Sequence, residues 1–322
     1  MKRFVGAIAF LAGVALATAL AVHAGLGATL QAMAAIGWFG LAKVCALQLL
    51  ALALCGLAWW AVTHGAGLRA CLVSRWIRDG ATNLVGFIPA VGEGISARAL
   101  TVFGASSAGD AAAATIVDVA IEALAQALYT LVAFVLLLPH LDSAEARRWG
   151  LIVGLGTIPI LLMFAISRHR GALKLGQKIG MQLAKAMGIE GGHFHLADAV
   201  HAIYQRGPRI GASLVLHLLG WGLGAVQIWV AARSLSQPLT AADAVALAGL
   251  VSAARSAFFL VPWSAGVQEG GFILVGAALG MDPAAAIALS LVLRARDVVI
   301  GAPAILIWYL AEGRRSLKAV LR

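Results

Sequence analysis

The chain alternates between long apolar stretches and short polar segments rich in Lys and Arg. Apolar runs long enough to span a hydrocarbon core of about 30 Å fall at about 4–22, 38–62, 110–138, 149–167, 210–232 and 283–311. The first follows Met1-Lys2-Arg3 and reads as an uncleaved helix, because a run of about 19 residues is long for the core of a signal peptide. Two other segments, about 81–104 and 258–280, are apolar but interrupted by Pro and Gly, and an apolar arm at 241–257 leads into the second. Residues 95–103 make only about 14 Å of helix at about 1.5 Å per residue, too little to cross. The pattern therefore predicts re-entrant hairpins. Their non-helical backbone survives at that depth only inside protein or beside a water-filled cavity.

The two broken segments are versions of one element. The first reads Gly86-Phe-Ile-Pro89-Ala-Val-Gly92-Glu93-Gly94, followed by Gly104 and Asp118. The second reads Leu260-Val-Pro262-Trp-Ser-Ala-Gly266-Val-Gln-Glu269-Gly270, followed by Gly280 and Arg294. Glu93 and Glu269, Gly104 and Gly280, and Asp118 and Arg294 share one offset of 176 residues. Repeated, Gly/Pro-broken apolar segments are the mark of a transporter built from two related halves. The repeats are expected at about 63–138 and 239–312, within one integral membrane domain over 1–322. Pro89, Gly92, Pro262 and Gly266 mark the breaks.

Composition sharpens this reading. Hydrophobic residues make up 61% of the chain and charged residues 12%, with mean hydropathy +0.93; a soluble domain is about a quarter charged. The expected fold is an all-α polytopic membrane protein with about 6–8 transmembrane helices and two inverted re-entrant hairpins. A net charge of +10 would point to nucleic acid in a soluble chain; here it reflects basic loops facing anionic lipid, and no nucleic-acid partner is expected. The segments 1–3, 63–80, 168–209 and 312–322 hold sixteen Lys and Arg, against three in 23–37, 139–149 and 232–241. That bias puts both termini on the cytoplasmic side of the membrane. The first hairpin would then open inward and the second outward, unless 241–257 crosses fully. Residues 170–187, basic on one face and apolar on another, fit an interfacial helix. Trp38, Trp59, Trp60, Trp149 and Trp308 fall near span ends, as an aromatic belt would.

Nine ionisable residues lie at apparent membrane depth: Glu93, Arg98, Asp118, Glu122, Arg255, Glu269, Arg294, Arg296 and Asp297. An Asp, Lys or Arg costs about 2.5–3.5 kcal/mol at the centre of a membrane helix, so these side chains are expected to converge on one hydrated, nearly neutral zone between the halves. Asp118 and Glu122 share a face of one helix, and Arg294 and Asp297 share a face of another. Asp118 and Arg294, repeat equivalents of opposite sign, are expected to pair. Glu93 and Glu269, at the breaks, are candidate proton carriers. Arg255, Arg294 and Arg296 are candidates for gripping a phosphate.

Other motifs carry less. Cys45, Cys55 and Cys71 lack the spacing of a disulfide framework or zinc site. His193, His195 and His201 read as solvated surface, so no metal is expected. Gly150/Gly154, Gly220/Gly224 and Gly276/Gly280 suggest close helix packing. No Ser/His/Asp or Cys/His arrangement stands out, so neither catalytic activity nor a cofactor is expected.

Pro89-x-x-Gly92-Glu93 with Arg98, and Pro262-x-x-x-Gly266-x-x-Glu269 with Gly280 and Arg294, resemble the flippase-like transmembrane region of bacterial lysylphosphatidylglycerol synthases over about residues 38–312. The resemblance implies movement of lipid between leaflets along a route lined by two re-entrant elements. The synthases continue into a soluble aminoacyl-transferase domain; the sequence here ends at Arg322, so the resemblance implies the membrane region without that activity. Stand-alone relatives include a membrane protein associated with hopanoid biosynthesis. The expected function is a lipid flippase or transporter for a phospholipid or an isoprenoid- or hopanoid-type lipid. A membrane enzyme modifying lipid headgroups, or a non-transporting scaffold for a lipid-biosynthetic complex, are the alternatives. Membrane lipids are the expected partners, with a second copy of the chain and lipid-biosynthetic enzymes as further candidates.

Overall fold

The computed structural model describes residues 26–84, 91–104, 107–167, 171, 196–235, 237, 239–258 and 261–320. The expected span at 4–22, the break at Pro89, the interfacial stretch 170–187 (apart from Gly171), His193 and His195 lie outside them.

In lipid the backbone must satisfy its own hydrogen bonds, and the described residues form ten α-helices and no strand. They are α1 Leu26–Val62, α2 Leu68–Leu84, α3 Val91–Gly104, α4 Ala108–Leu137, α5 Ser143–Ser167, α6 Leu196–Tyr204, α7 Gly207–Ser234, α8 Ala241–Ala257, α9 Val267–Ala278 and α10 Pro283–Val320. Four of them, α1, α4, α5 and α7, are long and apolar enough to cross a membrane. α10 is longer still, but Arg294, Arg296 and Asp297 interrupt its apolar run. α1 kinks at Gly37, whose φ of 59° lies in the left-handed region that glycine adopts freely. The outer face of α5 shows Leu151, Ile152, Leu155, Ile158, Leu162 and Ile166, a surface suited to acyl chains.

Residues 63–80 are not the cytoplasmic loop that their arginines suggested. From Leu68 they form α2, and Arg75 and Arg78 are each only 7% exposed. The arginines are sheltered by protein, so this helix needs no apolar sequence. Removing them from the loop count leaves the charge bias intact.

Two sets of elements share one order: α2, α3 and α4, then α8, α9 and α10. α3 begins at Val91 and α9 at Val267, the same 176-residue offset. Within each set the first two helices pair as a hairpin. The hairpin arms are short; α2 and α8, at 17 residues each, extend about 25 Å at about 1.5 Å per residue. The long helix of each set packs on the first hairpin arm of the other, α4 on α8 and α10 on α2. α1 and α7 pack together beside them.

Missing side chains make these crossings close. A Cβ on Gly80 would lie 2.9 Å from Gly301 O, so α2 and α10 meet backbone to backbone. A Cβ on Gly249 would lie 2.4 Å from Ala133 Cβ, where α8 meets α4. A Cβ on Gly92 would lie 2.9 Å from Arg78 O and 2.0 Å from Thr82 Oγ1, so only glycine lets α3 fold this tightly on α2. Of the GxxxG glycines, Gly220 faces Cys55 Sγ at 3.1 Å, whereas Gly154 and Gly224 face open space.

Polar caps fix helix starts. Thr240 and Asp243 form a capping box at α8, with Thr240 Oγ1 accepting from the Asp243 amide and Asp243 Oδ2 accepting from the Thr240 amide. Thr240→Ala is expected to cost about 1 kcal/mol, read as a lowered thermal midpoint in detergent. At α5, the amides of Glu145 and Ala144 hold the Asp142 carboxyl below the usual carboxylate range. Trp60 and Trp38 are exposed, but Trp59 is fully buried and packs in an apolar cluster rather than facing a membrane interface.

Candidate functional site

The first charged cluster joins α2, α3, α4 and α7. Arg75 and Arg78 lie i,i+3 on α2; Asp118 and Glu122 lie i,i+4 on α4, so each pair shares a face. Arg75 Nη1 and Nη2 donate to Glu122 Oε2 and Oε1 at 2.9 and 2.5 Å. Arg78 Nη1 donates to Asp118 Oδ2 at 2.9 Å, and its Nη2 to Glu122 Oε2 at 2.8 Å. Glu93, at the start of α3, reaches Arg78 at 3.4 Å. Asp118 is fully buried and its other oxygen lies 3.0 Å from His217 Nε2 on α7.

The second cluster closes the turn between α8 and α9. Trp263 and Ser264 have φ of 59° and 47°, strained for residues with a Cβ, and Gly266 has φ 77°. Arg294 on α10 organises them. Its Nη1 and Nη2 donate to the Trp263 and Ser264 carbonyls at 2.9 and 3.1 Å, and its Nε and Nη2 to the two Glu269 oxygens at 2.6 and 3.0 Å. Glu269 also accepts from the Gly266 amide at 2.9 Å and the Ser290 hydroxyl at 3.1 Å. The guanidinium thus substitutes for the backbone partners that a broken helix lacks.

Between the two clusters lie Asp79, Asn83, Arg255, Arg296 and Asp297. Arg296 donates to Asp297 Oδ1 and to Gln227 Oε1 on α7, and Gln227 donates to Gln48 Oε1 on α1. Arg255 donates to Asn83 Oδ1 at 3.0 Å and has no carboxylate at salt-bridge distance among the described residues. The charges of Asp79, Asp297, Arg296 and Arg294 all act on it. Asp79 in turn feels Arg75, Glu122, Arg296 and Asp297. The charged side chains therefore form one continuous zone where the two hairpins meet the long helices.

Eight of the nine singled-out charges belong to this zone. Arg98 does not: its side chain is 53% exposed and pairs with Glu312 at 3.0 Å. The expected Asp118–Arg294 pair is not formed. Each finds partners nearer in its own set, Asp118 in Arg78 and His217, Arg294 in Glu269. Arg75, Arg78, Asp79 and His217 were missed. The signal for the first three was the offset itself, which carries the arm at 241–257 back onto residues 65–81. His217 had no local signal, because Asp118 is 99 residues away.

Cys55, Glu122 and His217 bring ligand-type atoms within 4.8 Å of one another. Two guanidiniums already occupy the Glu122 oxygens and would repel a cation, so the set does not suit a metal. A cavity of about 320 Å³ lies elsewhere, lined by Gln31, Ser234, Gln237 and Asp282 among others. Asp282 there caps α10 by accepting from the Ala285 amide, and the lining lacks the arginines that distinguish the charged zone.

A helical chain with long lipid-compatible helices and a sheltered interior of ion pairs defines a polytopic membrane protein. It belongs to the family described as the lysylphosphatidylglycerol synthase TM region, whose family model matches residues 6–304. Membership ties the chain to a membrane-lipid-related function. No curated protein and no solved structure matches it significantly.

Proposed function

We propose that this protein is a lipid transporter of the bacterial cytoplasmic membrane, with both termini in the cytoplasm. The two hairpins, α2–α3 and α8–α9, enter from opposite faces and belong to inverted repeats over about 63–138 and 239–312. A lipid headgroup passes through the charged zone between them while its tails stay in the bilayer. One observation carries this reading. Arg255 is held by an amide rather than a carboxylate, inside a zone whose other arginines are already paired. A guanidinium whose other donors have no partner among the described residues suits a phosphate oxygen. This favours an anionic phospholipid over a neutral isoprenoid or hopanoid. Inverted hairpins around a central polar site also fit alternating access.

The test is reconstitution in vesicles containing a fluorescent phosphatidylglycerol, with dithionite quenching of the outer leaflet. Wild-type protein is expected to move the lipid faster than empty vesicles. Arg255→Gln is expected to slow it about tenfold or more, since a hydrogen bond to a charged group contributes about 1.5–3 kcal/mol, while the thermal midpoint stays close to wild type. Headgroup conversion detected by mass spectrometry, or movement no faster than in empty vesicles, would count against transport.

A further inference from the structure

His217 is a buried titratable group that the transport reading does not use. It sits within α7 with no exposure to solvent. Its Nε2 lies 3.0 Å from Asp118 Oδ1, and its Nδ1 has no hydrogen-bond partner among the described residues. The groups around it come from several helices. α1 supplies Cys55; α2 supplies Cys71, Arg75 and Arg78; α3 supplies Glu93; α4 supplies Asp118 and Glu122. α8 and α10 also pack on α7. In the charged zone they bring Arg255, held on Asn83, and Arg296 with Asp297, joined to α7 through Gln227. Asp243 of α8 is occupied elsewhere by its cap and by His140 at 3.5 Å.

Charge balance separates the two forms of the imidazole. With His217 neutral, the first cluster sets two guanidiniums, Arg75 and Arg78, against three carboxylates, Glu93, Asp118 and Glu122. That count leaves one excess negative charge in a cluster whose members are mostly buried, Glu93 at 30% side-chain exposure being the most open, and an uncompensated buried charge is unfavourable. One proton on His217 brings the count to zero. It also turns the contact with Asp118 into a charge-assisted hydrogen bond from Nε2–H to the carboxylate. Glu269 is poorly placed for this task, because Arg294, Ser290 and the Gly266 amide occupy both its oxygens.

We infer that His217, oriented by Asp118, is a proton-binding site inside the membrane-embedded charged zone, and that its bound proton completes the neutrality of the first cluster. The inference stands whether or not the protein moves lipid. The test uses the full chain in lipid vesicles, labelled with ¹⁵N-histidine and read by solid-state NMR. The chain has eight histidines. Replacing the others by Gln leaves His217 as the sole imidazole. At about pH 8, where an unperturbed imidazole with pKa about 6.5 is neutral, both His217 nitrogens are expected to carry protons. Asp118→Asn removes one negative charge and should convert His217 to the neutral ring at the same pH, whereas Asp118→Glu should keep the imidazolium. A neutral His217 in the otherwise wild-type chain would overturn the inference, as would an imidazolium that persists in folded Asp118→Asn protein. If that variant does not fold, the spectrum with Asp118 in place decides.

Discussion

Arg294→Ala is expected to unfold the second hairpin. The guanidinium makes four hydrogen bonds, two to Glu269 and one each to the carbonyls of Trp263 and Ser264. Its loss would leave a carboxylate side chain only 2% exposed without its counter-ion. It would also free two carbonyls held in strained backbone. Breaking a buried ion pair from one side costs about 3–5 kcal/mol, a large fraction of a typical total stability of about 5–15 kcal/mol. Arg294→Lys should recover only part of this loss, because one ammonium cannot match a guanidinium fork spread over a carboxylate and two carbonyls. Glu269→Gln combined with Arg294→Gln should be less damaging than Arg294→Ala alone, since neither charge is then stranded. Thermal unfolding followed by tryptophan fluorescence in detergent checks all three; an unchanged midpoint in Arg294→Ala would remove the stapling role.

The second large effect is expected from Gly80→Leu. At this crossing α2 and α10 touch through their backbones, and Gly301 O, Gly301 Cα and Ala304 Cβ all lie within 3.2 Å of where a Cβ would stand. Overpacking generally costs about 1–3 kcal/mol and occasionally more; backbone facing backbone offers little room to relax. The displacement would act beside the charged zone, because Arg78 and Asp79 immediately precede Gly80, and Arg296 and Asp297 lie just over one turn before Gly301. Gly80→Leu should therefore lower both the thermal midpoint and lipid movement, whereas Gly94→Ala, where a Cβ meets open space, should change neither. Equal behaviour of the two variants would contradict a tight α2–α10 crossing.

Much of the scaffold was legible because lipid imposes a simple rule on exposed helices. The arm read at 241–257 is the helix Ala241–Ala257, and the run read at 110–138 is Ala108–Leu137 within two residues. The rule fails where protein replaces lipid as the surroundings. α2 carries Arg69, Arg75, Arg78 and Asp79, so hydropathy alone gives a loop, yet the helix is covered by α1, α3 and α10. Pairing was less legible still. Repeat equivalence says that Asp118 and Arg294 occupy matching positions, but not that matching positions touch. The first set pairs Asp118 and Glu122 on its long helix with Arg75 and Arg78 on its hairpin arm; the second pairs Arg294 on its long helix with Glu269 at the start of α9. The opposite signs of Asp118 and Arg294 therefore reflect pairing within each set rather than contact across an axis. His217 shows the remaining gap, since nothing within one helix reveals a carboxylate brought to it from another.

The central claim is that lipid headgroups enter the zone between the hairpins, and photo-crosslinking tests it most directly. A phosphatidylglycerol carrying a diazirine in its headgroup would be activated in vesicles containing the protein, with adducts mapped by mass spectrometry. The account predicts labelling near Arg255, Asn83 and Asp79, on α8 and α2, and its loss in Arg255→Gln. Labelling confined to the outer apolar face of α5, around Leu151 and Leu155, with none between the hairpins, would contradict it.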